Sequence, residues 1–93
     1  MPRIKKQNLT TNLVTAKIKV LGKFYEAYGA SVLDAIGSLK PEKGRGMSVL
    51  TVTKDGKERI KVLNPLTTMR LFSPSATARS MALKNVISVF SDL

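Results

Sequence analysis

The sequence predicts one small α+β domain, in which two β-hairpins form an antiparallel or mixed sheet and two helices pack on one face of it. Three observations support this fold class. The chain has 93 residues, which is enough for a single core. Two stretches alternate apolar and polar residues around glycine turns, and two others repeat apolar residues at helical spacing. The predicted order is therefore ββαββ(β)α, with a domain at residues 13–93.

Residues 1–12 precede this domain and lack apolar periodicity. They contain three cations, Arg3, Lys5 and Lys6, among polar residues. Such a segment is typical of a frayed terminus, but its cations also suit an arm that becomes ordered on phosphates. We therefore predict a flexible basic arm and leave both interpretations open.

The first hairpin is predicted from strict alternation over residues 13–21. Its apolar side is Val14, Ala16, Ile18 and Val20, and its polar side is Thr15, Lys17 and Lys19. Gly22-Lys23 fits a two-residue type II′ turn, because glycine stands at the first central position, and residues 24–29 return antiparallel. In this register Val20 faces Tyr25 and Lys19 faces Glu26.

The first helix and the loop after it follow this hairpin. Ser31 is a suitable N-cap, with Asp34 three residues later, and Pro41 ends the helix because a residue before proline avoids the α region. The loop 40–46 contains two glycines and three cations, which are Lys40, Lys43 and Arg45. Glycines allow close backbone approach, so the loop either contacts an anion or is a solvated connection.

The second hairpin surrounds Asp55-Gly56, and its register has to be chosen. A two-residue loop would place Val52 opposite Arg59, which pairs a buried position with a charge. A three-residue loop with a G1 bulge instead sets Leu50 opposite Ile60. This register places apolar residues on one face of the hairpin and polar residues on the other. We therefore predict the bulge, with one side apolar and the other polar. The apolar side is Leu50, Val52, Ile60 and Val62, and the polar side is Thr51, Thr53, Arg59 and Lys61.

The C-terminal third contains one short ambiguous element and one long helix. Residues 68–72 fit either a short fifth strand, which we favour, or a helical turn capped by Asn64 with Pro65 at its first position. The final helix starts at Ser73-Pro74 or at Ser75 and ends near Ser91. Its buried stripe is predicted to be Ala78, Ala82, Leu83, Val86, Ile87 and Phe90. Met81 and Val89 widen that stripe, as further core or as a dimer seam.

The composition argues against catalysis. The chain has no histidine and no cysteine, and its six acidic residues are scattered singly. The usual general base, thiol nucleophile and zinc ligands are therefore missing, so we expect no enzyme, metal or cofactor. The sequence has neither a run of about 20 apolar residues nor an apolar signal segment. Absence of cysteine fits a reducing compartment, and we predict a cytoplasmic protein.

The charge points to an anionic partner. Sixteen Lys and Arg against six acids give a net charge of +10, more than solubility requires. The predicted register puts four cations on the sheet face away from the helices, beside Phe24 and Tyr28. We therefore expect a non-catalytic, weakly sequence-specific binder of DNA or RNA. Its predicted contacts are Lys17, Lys19, Phe24, Tyr28, Lys40, Lys43, Arg45, Arg59, Lys61, Arg3, Lys5 and Lys6.

The main alternative is a small protein-interaction module, such as an inhibitor, an adaptor or a virus-type accessory protein. The same charge would steer it to an acidic partner, or the C-terminal helix would form a homodimer. A membrane-surface binder is disfavoured, because the cations do not follow one helix face.

Overall fold

The computed structural model describes residues 13–41 and 44–93 and has an α+β fold. Its elements, in chain order, are β1 (Val14–Val20), β2 (Lys23–Gly29), α1 (Val32–Gly37), β3 (Ser48–Lys54), β4 (Lys57–Leu63), α2 (Pro65–Leu71) and α3 (Ala76–Val89). The strands form one antiparallel sheet of order β2-β1-β3-β4. No described helix is long and apolar enough to cross a membrane. The predicted arm, residues 1–12, lies outside the described residues.

One face of the two central strands forms the core. The alternation in β1 is as predicted, because its even-numbered residues are buried and its lysines are exposed. Leu50 and Val52 of β3 are buried on the same side, opposite Ile18 and Ala16. The helices and the residues that directly follow them supply the other half of this core, with Ile36, Leu39, Leu71, Ala82, Val86 and Phe90. The opposite side of the sheet, which we call the open face, has no helix over it in the described chain.

The turn of the first hairpin differs from the predicted one. Val20 pairs with Lys23, so the two loop residues are Leu21 and Gly22, with φ of 51° and 78°. Two positive φ angles define a type I′ turn, which matches the twist of the flanking strands. The register is therefore shifted by two residues, and Lys17 instead of Lys19 faces Glu26. A shift of two leaves every side chain on its predicted face.

The predicted register of the second hairpin is wrong. Val52 pairs with Arg59, so Asp55-Gly56 is a two-residue type I′ loop with φ of 51° and 79°. The turn geometry decides the register here because β4 is an edge strand that buries only its last residue, Leu63. Because β4 buries so little, burial of its apolar residues does not favour the alternative, bulged pairing. Ile60 and Val62 consequently lie on the open face.

The helices agree with the sequence except at residues 68–72. The predicted strand there is wrong, and the segment belongs to α2, which Asn64 caps by accepting a hydrogen bond from the Thr67 N–H at 2.8 Å. Pro65 occupies the first turn, where its missing N–H costs nothing. Ser31 is the N-cap of α1, as predicted, and Ser75, one of the two candidates, is the N-cap of α3.

Candidate functional site

The predicted interface does not form one surface. Lys17, Lys19, Phe24 and Tyr28 share the open face, as expected. The placement of Arg59 and Lys61 on that face is wrong, because their partners across β3 are the buried Val52 and Leu50. Both cations therefore project to the helix side of the sheet. Arg3, Lys5, Lys6 and Lys43 lie outside the described residues.

The helix side of the β3–β4 hairpin carries a dense group of cations, which we call the cationic hairpin. Its members are Lys54, Lys57, Arg59 and Lys61. Three of them follow one another at every second position of β4, about 7 Å apart along the strand. All three β4 cations are exposed, and Leu63 is the one buried residue of this strand.

Charge repulsion is built into the cationic hairpin. Lys54 lies directly opposite Lys57 at the end of the two strands, and like charges in facing positions destabilise a sheet. Lys54 and Lys57 were not predicted as site residues. The prediction rejected the two-residue loop, which is the loop that places them opposite each other at the ends of the strands. The Asp55-Gly56 dipeptide was the available signal, since it is a strong indicator of a type I′ turn.

Asp92 provides the one counter-charge that pairs with this group within the described chain. The Arg59 Nε atom donates to Asp92 Oδ2 at 2.7 Å. This hydrogen bond holds the pKa of the Asp92 carboxyl below its usual value, and the nearby charges of Arg59 and Lys57 act in the same direction. The hairpin also contains Asp55 and Glu58, but Lys54, Lys57 and Lys61 have no ion pair within the described chain.

On the open face, by contrast, Lys17 is already paired. The distance from Lys17 Nζ to Glu26 Oε2 is 3.7 Å, and the Tyr28 hydroxyl donates to the other oxygen of the same carboxylate. The hydrogen bond to Glu26 raises the pKa of Tyr28, and the charge of Glu26 adds to this. Lys19 Nζ lies 5.4 Å from the centroid of the Phe24 ring, within the range of a cation–π contact.

The open face as a whole is neutral and partly apolar. Its outward positions are Thr15, Lys17, Lys19, Phe24, Glu26, Tyr28, Val49, Thr51, Thr53, Glu58, Ile60 and Val62. Two lysines on this face are balanced by two glutamates. The predicted basic sheet face is therefore absent from the described sheet, and exposed Ile60 and Val62 stand where Arg59 and Lys61 were expected.

Gly44, in the loop that was predicted to contact an anion, has a packing role. Lys40 and Arg45 are exposed. A Cβ atom at Gly44 would lie 2.4 Å from the Cβ of Phe72, so glycine is needed there for contact with Phe72 rather than with a ligand. Lys40 lines a shallow cleft of about 250 Å³ with Arg79. Arg79 lies near the start of α3, and Asp92 follows the end of that helix, about 15 Å of helix further on, so this cleft is remote from the cationic hairpin.

A larger cleft of about 470 Å³ lies between α2 and α3. Its polar lining includes Arg70, Thr67, Ser75 and Asn85, and Met81 forms part of its apolar wall. Within the described residues, no group of three or more His, Cys, Asp or Glu side chains could hold a metal ion.

Comparison with known proteins adds no assignment to this geometry. No family model, curated protein or solved structure matches the chain.

Proposed function

We propose that this protein is a non-catalytic nucleic-acid-binding protein that contacts the sugar-phosphate backbone of DNA or RNA through the cationic hairpin. The observation that supports the proposal is the set of four cations on one side of the β3–β4 hairpin, with Asp92 as its paired acid in the described chain. A row of exposed lysine and arginine side chains can neutralise successive phosphates and release their counterions.

The cost of this arrangement supports a functional role. Lys54 and Lys57 repel each other, and Arg59 and Lys61 stand on the side of the sheet that the core residues use. Places where a chain departs from the locally favourable pattern are often functional sites. Contacts to phosphates carry no base information, so binding is expected to be weakly sequence-specific.

A salt titration tests the proposal. Fluorescence anisotropy would follow binding of single-stranded and duplex DNA and RNA to the wild type and to the variant Lys54→Gln/Lys57→Gln/Lys61→Gln. Arg59 is left in place because it pairs with Asp92. If each lysine contacts one phosphate, the slope of log affinity against log salt should become shallower by about 2 to 3.

The matched control removes the same charge from the other half of the sheet. The variant Lys17→Gln/Lys19→Gln/Lys23→Gln has an identical net charge, and its affinity should remain close to that of the wild type. Equal losses in the two triple variants would show a diffuse charge effect and refute the assignment to the hairpin. Absence of oligonucleotide binding at about 50 mM salt would reject nucleic acid altogether. Binding to polyglutamate alone would then favour the acidic protein partner.

A further inference from the structure

The open face exposes a contiguous group of apolar residues, which we call the apolar patch: Val49, Ile60 and Val62. They are 37%, 62% and 53% exposed. Phe24 lies outside this patch, because Lys19 stands between it and Val49. Val49 pairs directly with Val62, and Ile60 is the next outward residue on β4. Exposed Leu21 and Met47 lie at the adjoining end of the sheet. Clustered apolar residues on a sheet face, unlike scattered ones, mark an interaction site.

The charges of the open face indicate which partner fits. The face is neutral on a chain of net charge +10, so two copies can meet there with the least repulsion. Its two charges without an ion pair in the described chain, Lys19 and Glu58, are also placed symmetrically. Lys19 lies on β1, two residues from the position opposite Thr51. Glu58 lies on β4, two residues from the position opposite Thr51, but toward the other end of the sheet. The two charges are therefore equally far from Thr51, on opposite sides of it.

We infer that two copies of this chain associate through their open faces, forming a dimer in which the apolar patches are buried between two sheets. A two-fold axis in the plane between the sheets, passing over Thr51 and perpendicular to the line from Lys19 to Glu58, exchanges those two positions. Lys19 of each copy then lies over Glu58 of the other. Such self-complementarity is what an isologous interface requires.

Two other modes of self-association fit the structure less well. Pairing of β4 with β4 of a second copy would bring both cationic hairpins together, and like charges at an interface are costly. The surface of α3 at Met81 and Val89 was predicted to be either further core or a dimer seam, and both residues are exposed, so they are not core. There, Met81 and Val89 are separated on the same stripe by the polar, exposed Asn85, so they do not form a continuous apolar surface.

The size of the face sets the expected strength of this dimer. Four strands span about 19 Å, and the outward rows extend about 20 Å along them, a flat footprint of roughly 400 Å² per copy. A standard stable interface buries about 800 Å² per partner. The dimer is therefore expected to be weak and to form as protein concentration rises.

Analytical ultracentrifugation of the 93-residue chain tests the inference independently of nucleic acid. Protein stripped of nucleic acid would be sedimented in about 0.15 M salt over a range reaching about 0.5 mM, where a weak dimer is populated. The wild type should shift from monomer to dimer, and Ile60→Lys should remain monomeric. Met81→Lys, the matched control on α3, should dimerise like the wild type. Melting curves would establish that both variants fold.

A charge exchange gives the sharpest readout. Lys19→Glu should raise the dimer dissociation constant about tenfold or more, because it places two glutamates in each of two contacts. Lys19→Glu/Glu58→Lys should return the constant to near the wild-type value. The two residues are about 17 Å apart within one chain, so restoration would have to occur between chains. A monomeric wild type, failure of the double variant to restore association, or a monomeric Met81→Lys would each overturn the inference.

Discussion

The hydrogen bond between Ser48 and Thr68 joins β3 to α2 inside the core, and its removal should have unequal effects from its two ends. The hydroxyl oxygens are 2.7 Å apart, and the two residues are 1% and 0% exposed. Thr68 Oγ1 also donates to the Asn64 carbonyl at 3.0 Å. A hydroxyl has a single proton, so Ser48 must be the donor to Thr68.

This direction of donation fixes the order of the effects. Thr68→Val keeps the shape of the side chain but leaves the Ser48 hydroxyl buried without a partner, which should lower the free energy of unfolding by about 1–3 kcal/mol. Ser48→Ala leaves the Thr68 proton bonded to Asn64, so its cost should be about 0.5–1.5 kcal/mol. The double variant removes both polar groups and should cost no more than Ser48→Ala.

Thermal and urea unfolding of the four proteins would measure this cycle. For a domain of this size, each kcal/mol should lower Tm by about 4–8 °C, so a difference of about 0.5 kcal/mol between the single variants would separate their Tm values by about 2–4 °C. A smaller loss in Thr68→Val than in Ser48→Ala would refute the assigned direction of the hydrogen bond. Additive losses in the double variant would show that the two hydroxyls do not interact.

Two further predictions concern the β2–α1 junction and the cationic hairpin. Gly29→Ala should lower the free energy of unfolding by about 1–3 kcal/mol, because the new Cβ would lie 2.6 Å from the backbone nitrogen of Ala35; an unchanged urea midpoint would contradict this packing. The pKa of Asp92 is depressed in the folded protein, so the stability that its pairing contributes is present above the unfolded pKa and is lost as pH falls through the folded one. Arg59→Gln should move that pKa upward, which NMR titration of the Asp92 carboxyl carbon would show, and an unmoved titration would contradict the pairing.

The parts of the fold that the sequence predicts correctly are those in which burial enforces a pattern. The even-numbered residues of β1 face the core because both neighbouring strands and the helices hold that strand in place. The stripe of α3 is correct for the same reason, since Ala82, Val86 and Phe90 recur at helical spacing and are buried. Ser31 was identifiable as a cap, and Ser75 as one of two candidates, because capping depends on local chemistry.

The candidate site was less predictable because it depends on an edge strand. The bulged hairpin was predicted because it places the apolar residues of β4 on one face and the charged ones on the other. β4 buries only Leu63, so this separation adds little buried apolar surface. The Asp55-Gly56 turn decided the register instead, and one residue of shift exchanged the faces of Arg59 and Lys61 with those of Ile60 and Val62. The open face, which was predicted to be basic, is therefore neutral and partly apolar.

By itself the sequence determined the α+β class, the faces of the first hairpin, the stripe of the last helix and the excess of positive charge, because local periodicity and composition carry that information. Only the tertiary structure decided where the charge lies. The position of Arg59 and Lys61 depends on the pairing of β4 with β3, and the position of α2 depends on its docking onto Ser48 through Thr68. These are contacts between distant residues, which alternation within one segment does not encode.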